Sequence, residues 1–145
     1  MSADEMAHWE KFFNATPEQR EEMSDYEVLT AAVNITANKL HGEGKQILQV
    51  SSELTATPNI WFNTDDATQY VVVTFARYPR NPEPPQGASQ IRQQMIAEGY
   101  SGYWVGLTLA NEYEVFDPES DEGLALMRGF GLFPKIGPMI PMSEL

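Results

Sequence analysis

Residues 70–78 constrain the fold most, because they read YVVVTFARY and are apolar on both faces for most of their length. β-Branched and aromatic side chains of this kind favour an extended strand. A strand with two apolar faces lies in the middle of a sheet that is covered on both sides. The segment therefore predicts a layered fold in which other elements pack on each face of a sheet.

The strongest helical pattern precedes this strand. Apolar side chains recur there at helical spacing and form a single stripe: Tyr26, Leu29, Val33, Ala37 and Leu40. Gly42 follows the last apolar position and ends the predicted helix. A shorter helix is predicted over residues 3–13, where Met6, Trp9 and Phe12 lie at helical spacing.

The remaining helices and strands are predicted from changes in the spacing of apolar residues and from turn residues. Residues 79–87 contain four prolines and predict a stiff surface loop. The further predicted strands are residues 45–53, 59–63, 103–109 and 114–116, with an edge strand in the tail after residue 130. The further predicted helices are residues 89–98 and 120–127. Gly106 inside a strand indicates a bulge or a close backbone approach. The order α-α-β-β-β-α-β-β-α-β predicts one α+β domain over residues 1–145, with a mostly antiparallel sheet.

The composition excludes several kinds of chemistry. The chain has no cysteine, which excludes disulfide scaffolds, thiolate zinc sites and cysteine nucleophiles. Its two histidines, His8 and His41, are 33 residues apart and lack the spacing of metal ligands. We expect a solvated His8, and a His41 that complements the dipole at the end of the long helix. No cofactor or metal is predicted.

The charge is strongly negative, with 21 acidic against 9 basic residues and a net charge of −12. This balance disfavours direct binding to nucleic acid or to an anionic membrane. The N-terminal residues lack a signal-peptide pattern and the chain lacks a long apolar run, so a cytoplasmic location is expected.

The acids are clustered in two segments, which suggests a binding surface. The first 27 residues hold eight acids and two bases. The second cluster holds six acids and no base, and its members are the predicted partner-binding residues: Glu112, Glu114, Asp117, Glu119, Asp121 and Glu122. Alternating carboxylates from Asp117 onward resemble a calcium loop, but an acidic turn before a helix is the favoured interpretation.

A small group of basic and aromatic residues suggests an anion or ligand pocket. Arg77, Tyr78 and Arg80 stand at the end of the central strand, and Arg92 opens the helix after the proline loop. The three arginines are expected to meet at one end of the sheet, where they would bind a carboxylate or phosphate. Internal pairing with the chain's own acids is the favoured alternative.

The order α-β-β-β-α-β between residues 26 and 109 resembles the core of the PD-(D/E)xK nuclease-like superfamily. The dipeptide Pro58-Asn59 stands where that family has Pro-Asp, and residues 70–78 stand where its (D/E)-x-K strand would run. The resemblance implies a sheet of this topology. It does not imply nuclease activity, because Asn59 is neutral and no (D/E)-x-K register occurs in the strand.

A second resemblance, in size, acidity and element order, is to the secretion chaperones that bind type III effectors, which are acidic dimers. Three functions follow from these observations. The first is an inhibitor or immunity-type protein that masks a basic partner. The second is a dimeric acidic chaperone or adaptor. The third is a divalent-metal-dependent hydrolase that uses Glu53, Asp65 and Asp66. A non-enzymatic role is favoured.

Overall fold

The computed structural model describes residues 3–54, 57–114 and 123–145. The helices are α1 (Ala3–Asn14), α2 (Asp25–Gly42) and α3 (Ala88–Ala97), and a short 3₁₀ helix closes the chain at Met142–Glu144. The strands are β1 (Gln46–Val50), β2 (Ile60–Asn63), β3 (Thr68–Arg77), β4 (Ser101–Asn111), β5 (Leu132–Ile136) and β6 (Ile140–Pro141).

The six strands form one sheet. Five of them follow the order β1-β2-β3-β4-β5, and β6 pairs with β4 at Tyr103 and Trp104, before the residues of β4 that pair with β5. All neighbours are antiparallel except β3 and β4, which pair in parallel over nine registered residue pairs. The proline loop and α3 form the crossover that a parallel pair requires. The predicted α+β class with a mostly antiparallel sheet is confirmed.

The central position of β3 is also confirmed, because β2 and β4 flank it and both of its faces are covered. Val71 and Val73 point to the side of α2 and join the larger apolar core. Tyr70 and Val72 point to the other side and pack with Met95 of α3. The alternation of side chains along a strand produces these two cores on opposite faces of one sheet.

The proline loop covers the part of the second face that α3 does not reach. The hydroxyl of Thr74 donates a 2.7 Å hydrogen bond to the Glu83 carbonyl, and Trp104 Nε1 donates to Thr74 Oγ1 at 2.8 Å. A Cβ added at Gly106 would lie 2.8 Å from Cγ of Pro82. The close approach predicted at Gly106 is therefore confirmed, and glycine is required there for steric reasons.

The C-terminal third differs from the prediction at the helix expected over residues 120–127. Residues 123–126 are not helical, and Met127 makes an isolated antiparallel bridge with Glu22. The amide of Met23 donates to the Leu126 carbonyl at 2.7 Å, so the segment uses its backbone to pair with the α1–α2 connection. Residues 120–122 lie outside the described residues, as do residues 115 and 116 of the predicted strand 114–116.

Candidate functional site

The C-terminal end of β3 brings together three of the residues predicted to form an anion pocket. Arg77, Tyr78 and Arg80 line one groove of about 450 Å³ together with Glu22 and Leu124. They meet because the chain turns sharply after β3, where the Arg80 amide donates to the Arg77 carbonyl at 3.0 Å.

Arg77 is already occupied by the chain's own oxygens. Its Nη2 donates to the Met23 carbonyl at 2.9 Å and to Asp25 Oδ1 at 3.0 Å, and its Nη1 lies 3.7 Å from Glu22 Oε1. The guanidinium therefore holds the start of α2 against the end of β3. This is the internal pairing that the sequence favoured. Nη1 makes no hydrogen bond to the described residues, and an anion site in this groove stays a prediction.

Arg92 does not lie with the other arginines. It lines a separate cavity with Gln69 and Tyr70, at the opposite end of β3 from Arg77. Arg77 is seven residue steps along the strand from Tyr70, which is about 23 Å at the usual rise of ~3.3 Å per residue. Sequence reasoning missed this separation because α3 runs back along the sheet and carries Arg92 to the start of β3 and β4.

Two of the six predicted partner-binding acids lie in the described residues, and both bind within the chain. Glu112 Oε1 accepts a 2.7 Å hydrogen bond from Lys11 Nζ, and Glu112 Oε2 accepts from the Gly131 amide at 2.8 Å. The bond from Lys11 is the main cause that lowers the pKa of the Glu112 carboxyl. Glu114 accepts from the Leu124 amide.

The other four acids of that cluster lie outside the described residues: Asp117, Glu119, Asp121 and Glu122. Their role in partner binding stays a prediction, as does the interpretation of the calcium-like spacing.

Part of the N-terminal acidic cluster is also paired internally. Arg128 Nη2 donates to Glu27 Oε1 at 2.8 Å and Arg128 Nη1 donates to Glu21 Oε2. The hydrogen bond to Arg128 is the largest cause that lowers the pKa of the Glu27 carboxyl. These contacts hold the segment around Arg128 against the start of α2.

The outward side of α1 carries a different kind of surface, an apolar stripe in contact with solvent. Met6 is 60%, Trp9 38% and Phe13 69% exposed. At ~100° per residue around the helix, the three side chains span about 60°, and Glu5 and Glu10 flank them on either side. We call these five residues the α1 outer face. The sequence shows the apolar spacing, but the same spacing is equally typical of a buried face.

The inward side of α1 is held by His8, which is 1% exposed, so the expected solvated histidine is wrong. The His8 ring lies between aromatic rings, with centroids 4.9 Å from Phe130 and 6.1 Å from Tyr113. Asn111 Nδ2 lies 3.3 Å from His8 Nδ1. Burial is the main cause that lowers the pKa of the imidazole, and the carboxylates of Glu114 and Glu112 oppose it.

The model of a family described as Domain of unknown function (DUF8840) matches residues 26–134. The chain belongs to this family. No curated protein and no solved structure matches it. The DUF8840 match begins within α2 and ends within β5, so α1 and its outer face precede the matched residues, whereas Tyr70 and Arg92 lie inside them.

Within the DUF8840 region, Asn59 stands where the nuclease-like resemblance would require a metal-binding aspartate. Asn59 is 2% exposed, accepts from the Val73 amide at 2.7 Å and donates to the Ser51 carbonyl at 3.3 Å. The side chain thus links β3 to the segment between β1 and β2. Its two hydrogen bonds give it a structural role at this position.

The carboxylates proposed for a hydrolase are not brought together. Asp65 and Asp66 follow the end of β2, where Asn63 pairs with Gln46. Glu53 follows the end of β1, where Val50 pairs with Ile60. They extend from opposite ends of the β1–β2 pair. Among the described residues, no group of three or more histidine, aspartate or glutamate side chains is placed to hold a metal ion.

None of the helices in the described ranges is long and apolar enough to cross a bilayer.

Proposed function

We propose that the protein is a non-enzymatic acidic interaction protein, of the inhibitor or immunity type, which masks a basic partner such as a nucleic-acid-acting protein. The α1 outer face is the observation that carries this proposal. It combines exposed aromatic side chains with flanking acids, on a chain whose net charge is −12.

The apolar part of this face favours a protein contact over a solubilising role. Large side chains buried at the centre of an interface supply much of its binding energy, and aromatic residues are enriched among them. Trp9 and Phe13 are in ring contact, with centroids 6.2 Å apart, and Phe12 lies 5.4 Å from Trp9 on the inward side. The exposed rings are therefore continuous with the packed rings beneath them.

The charge on α1 favours a basic partner. Asp4, Glu5 and Glu10 lie on this helix, and Lys11, its one basic residue, is bound to Glu112. The field of a strongly acidic protein speeds association with a basic surface and slows association with an acidic one. The expected partner surface has lysine or arginine around an apolar residue that contacts Trp9.

The helix is fixed on the rest of the protein, which favours binding by a preformed surface. His8 is buried against β4 and Phe130, and Lys11 Nζ lies over the Phe130 ring at 4.8 Å from its centroid. A preformed helix loses less conformational entropy on binding than a disordered segment. We propose the cytoplasm as its location, in keeping with a chain that contains no cysteine.

The proposal is tested by affinity capture followed by quantitative binding. Wild-type protein and a variant with Met6→Ser, Trp9→Ser and Phe13→Ser are immobilised, and proteins bound at low salt are identified. Each recovered protein is then purified, and its affinity is measured by calorimetry. We expect to recover a basic protein that binds the variant at least ~10-fold more weakly than it binds wild type. Its affinity for wild type should fall as the salt concentration rises.

A matched control carries Leu48→Ser and Leu54→Ser, which remove exposed apolar side chains on and near β1. This control is expected to bind the partner as wild type does. Recovery of acidic or neutral partners alone, or equal affinity of the α1 variant, would contradict the proposal.

The β1 edge favours the dimeric adaptor as the second candidate. Within the described residues, β1 pairs with β2 alone, and Leu48 and Val50 on it are half exposed, as is Leu54 beyond it. An exposed apolar edge strand is a surface on which a second copy can add a strand. Sedimentation measurements distinguish the candidates: a dimer that the Leu48→Ser, Leu54→Ser variant dissociates supports the adaptor, whereas a wild-type monomer at high concentration contradicts it.

A further inference from the structure

A small cavity lies on the α3 side of the sheet, where β3 and β4 begin and the C-terminal 3₁₀ helix closes the chain. Its volume is about 180 Å³, below the ~300–1,000 Å³ of drug-sized sites. Its polar and apolar groups come from β3, α3, β4 and the 3₁₀ helix: Tyr70, Arg92, Ile96, Ser101, Met142 and Ser143. The cavity therefore fits a molecule with few non-hydrogen atoms and one polar end.

Arg92 is the charged group of this cavity. Its Nε is out of contact with solvent and has no hydrogen-bond partner in the described part of the chain. None of the ion pairs among the described residues includes Arg92, although the chain holds 21 acids. A guanidinium with a buried unpaired donor is unfavourable until an acceptor reaches it.

Tyr70 lies in the lining of the same cavity and carries a hydroxyl donor. Its side chain is 1% exposed. Burial raises the pKa of the phenol, which the charge of Arg92 opposes, so the hydroxyl is protonated at neutral pH. The ring is fixed because it lies on the backbone of Gly102, where an added Cβ would be 2.5 Å from the ring carbons.

Ser101 adds a hydroxyl at the mouth of the same cavity. Its Oγ accepts from Gln69 Nε2 at 3.2 Å, which leaves its own hydrogen to donate. Ile96 and Met142 provide apolar surface beside these donors. One full positive charge, neutral hydroxyl donors and an apolar wall form a complementary surface for a single negative charge on a small apolar body.

We propose that this cavity binds a small monocarboxylic acid, with the carboxylate on Arg92 and Tyr70 and the apolar body against Ile96 and Met142. Arginine matches a carboxylate with two parallel N–H donors. A monoanion matches the one guanidinium, whereas a phosphate dianion would leave uncompensated negative charge in a protein of net charge −12. The cavity contains no residue of α1, so this proposal is independent of the proposed function.

The test is a titration of the full-length protein with benzoate and hexanoate, followed by ¹⁵N-labelled amide NMR spectra and by calorimetry. Acetate supplies the charge without the apolar body, and benzyl alcohol supplies the body without the charge. We expect saturable shifts at the amides of Ser101 and Gly102 with one of the two larger acids. We expect binding at least ~10-fold weaker with acetate and with benzyl alcohol.

Two variants and a control locate the site. Arg92→Gln should weaken binding ~10-fold to 100-fold, since hydrogen bonds to charged groups are the stronger class. Tyr70→Phe should weaken it several-fold without removing the ring that packs on Gly102. Arg80→Gln, which removes an exposed arginine outside this cavity, should leave the affinity unchanged.

Several results would overturn the proposal. They are non-saturable shifts with every acid, equal affinity of Arg92→Gln and wild type, or inorganic phosphate that binds more tightly than both larger acids. Amide spectra of each variant in the absence of ligand show whether it is folded. If Arg92→Gln is unfolded, Tyr70→Phe decides: weaker binding than wild type supports the proposal, and equal affinity overturns it.

Discussion

Asn111 Nδ2 lies 3.3 Å from His8 Nδ1, across 103 residues of sequence and between α1 and the end of β4. Asn111 Oδ1 accepts from the Tyr113 amide at 3.0 Å, and Nδ2 also donates to the Ala125 carbonyl at 3.0 Å. These bonds fix which end of the amide faces His8, so the imidazole accepts at Nδ1 as a neutral ring.

The first prediction is that His8 makes stability depend on pH. Its folded-state pKa is lowered from 6.5 by burial, so below pH 6.5 the unfolded chain binds more protons than the folded one. The free energy of unfolding should therefore fall as pH decreases from 6.5 toward the folded pKa. The slope is at most about 1.4 kcal/mol per pH unit, the limit for one proton.

Urea unfolding between pH 7.5 and 5.5 measures this slope. His8→Gln should flatten it, whatever its effect on stability at pH 7.5. Asn34→Gln is the matched control, because Asn34 is exposed on α2 and has no titratable group, so it should leave the slope as in wild type. An unchanged slope in His8→Gln would assign the pH dependence to other groups.

The second prediction concerns the hydrogen bonds of Asn59. Asn59→Ala leaves the buried Val73 amide without its acceptor, which should lower the free energy of unfolding by about 1–3 kcal/mol. Asn59→Asp keeps that acceptor but loses the donor to Ser51, so it should also destabilise. Asn81→Ala, at an exposed asparagine, should change stability by less than ~0.5 kcal/mol.

Asn59→Asp also tests the nuclease-like resemblance. It restores the carboxylate of that family's motif, and yet we expect no Mg²⁺-dependent cleavage of DNA, because β3 carries no carboxylate between Tyr70 and Arg77. Metal-dependent cleavage by this variant would show that the remaining residues can complete a metal site.

The third prediction is that Gly102 is required by the ring of Tyr70. Gly102→Ala places a Cβ within 2.5 Å of ring carbons and should destabilise by about 1–3 kcal/mol, as overpacked cores do. Gly42→Ala is the control, since no atom lies within 4 Å of its added Cβ. Thermal unfolding that is equal for the two variants would contradict the assigned packing.

The fourth prediction separates the α1 outer face from the core. Phe13→Ser, at a side chain that is 69% exposed, should change the free energy of unfolding by less than ~0.5 kcal/mol. Leu107→Ala, at a fully buried position on β4, should cost about 2–5 kcal/mol. A large loss of stability in Phe13→Ser would mean that this ring serves folding.

The sequence predicted a helix or strand correctly where the side chains of that one element carry the whole pattern. The stripe that starts at Tyr26 predicts α2, and the run that starts at Tyr70 predicts β3, because both patterns are repeated by neighbouring side chains on one element. The same holds for Gly106, where a glycine inside a strand indicates the approach of Pro82.

Local patterns failed where distant segments decide the environment. Residues 123–126 read GLAL, and leucine and alanine favour a helix, but the backbone of this segment pairs with the α1–α2 connection instead. His8 was expected in solvent because it has no partner at metal-ligand spacing, and Asn111 and Phe130 bury it from elsewhere in the chain.

In the candidate sites, too, the sequence predicted some features and tertiary contacts decided the others. The net charge, the absence of cysteine and the stripe of Met6, Trp9 and Phe13 can be read directly from the amino-acid order, because composition and helical spacing do not depend on distant contacts. Tertiary structure alone decided that this stripe faces solvent, that Arg77 is neutralised, and that Arg92 lies beside Tyr70. Each of these outcomes depends on which remote segment packs against a side chain. The sequence pattern within one element does not identify that segment.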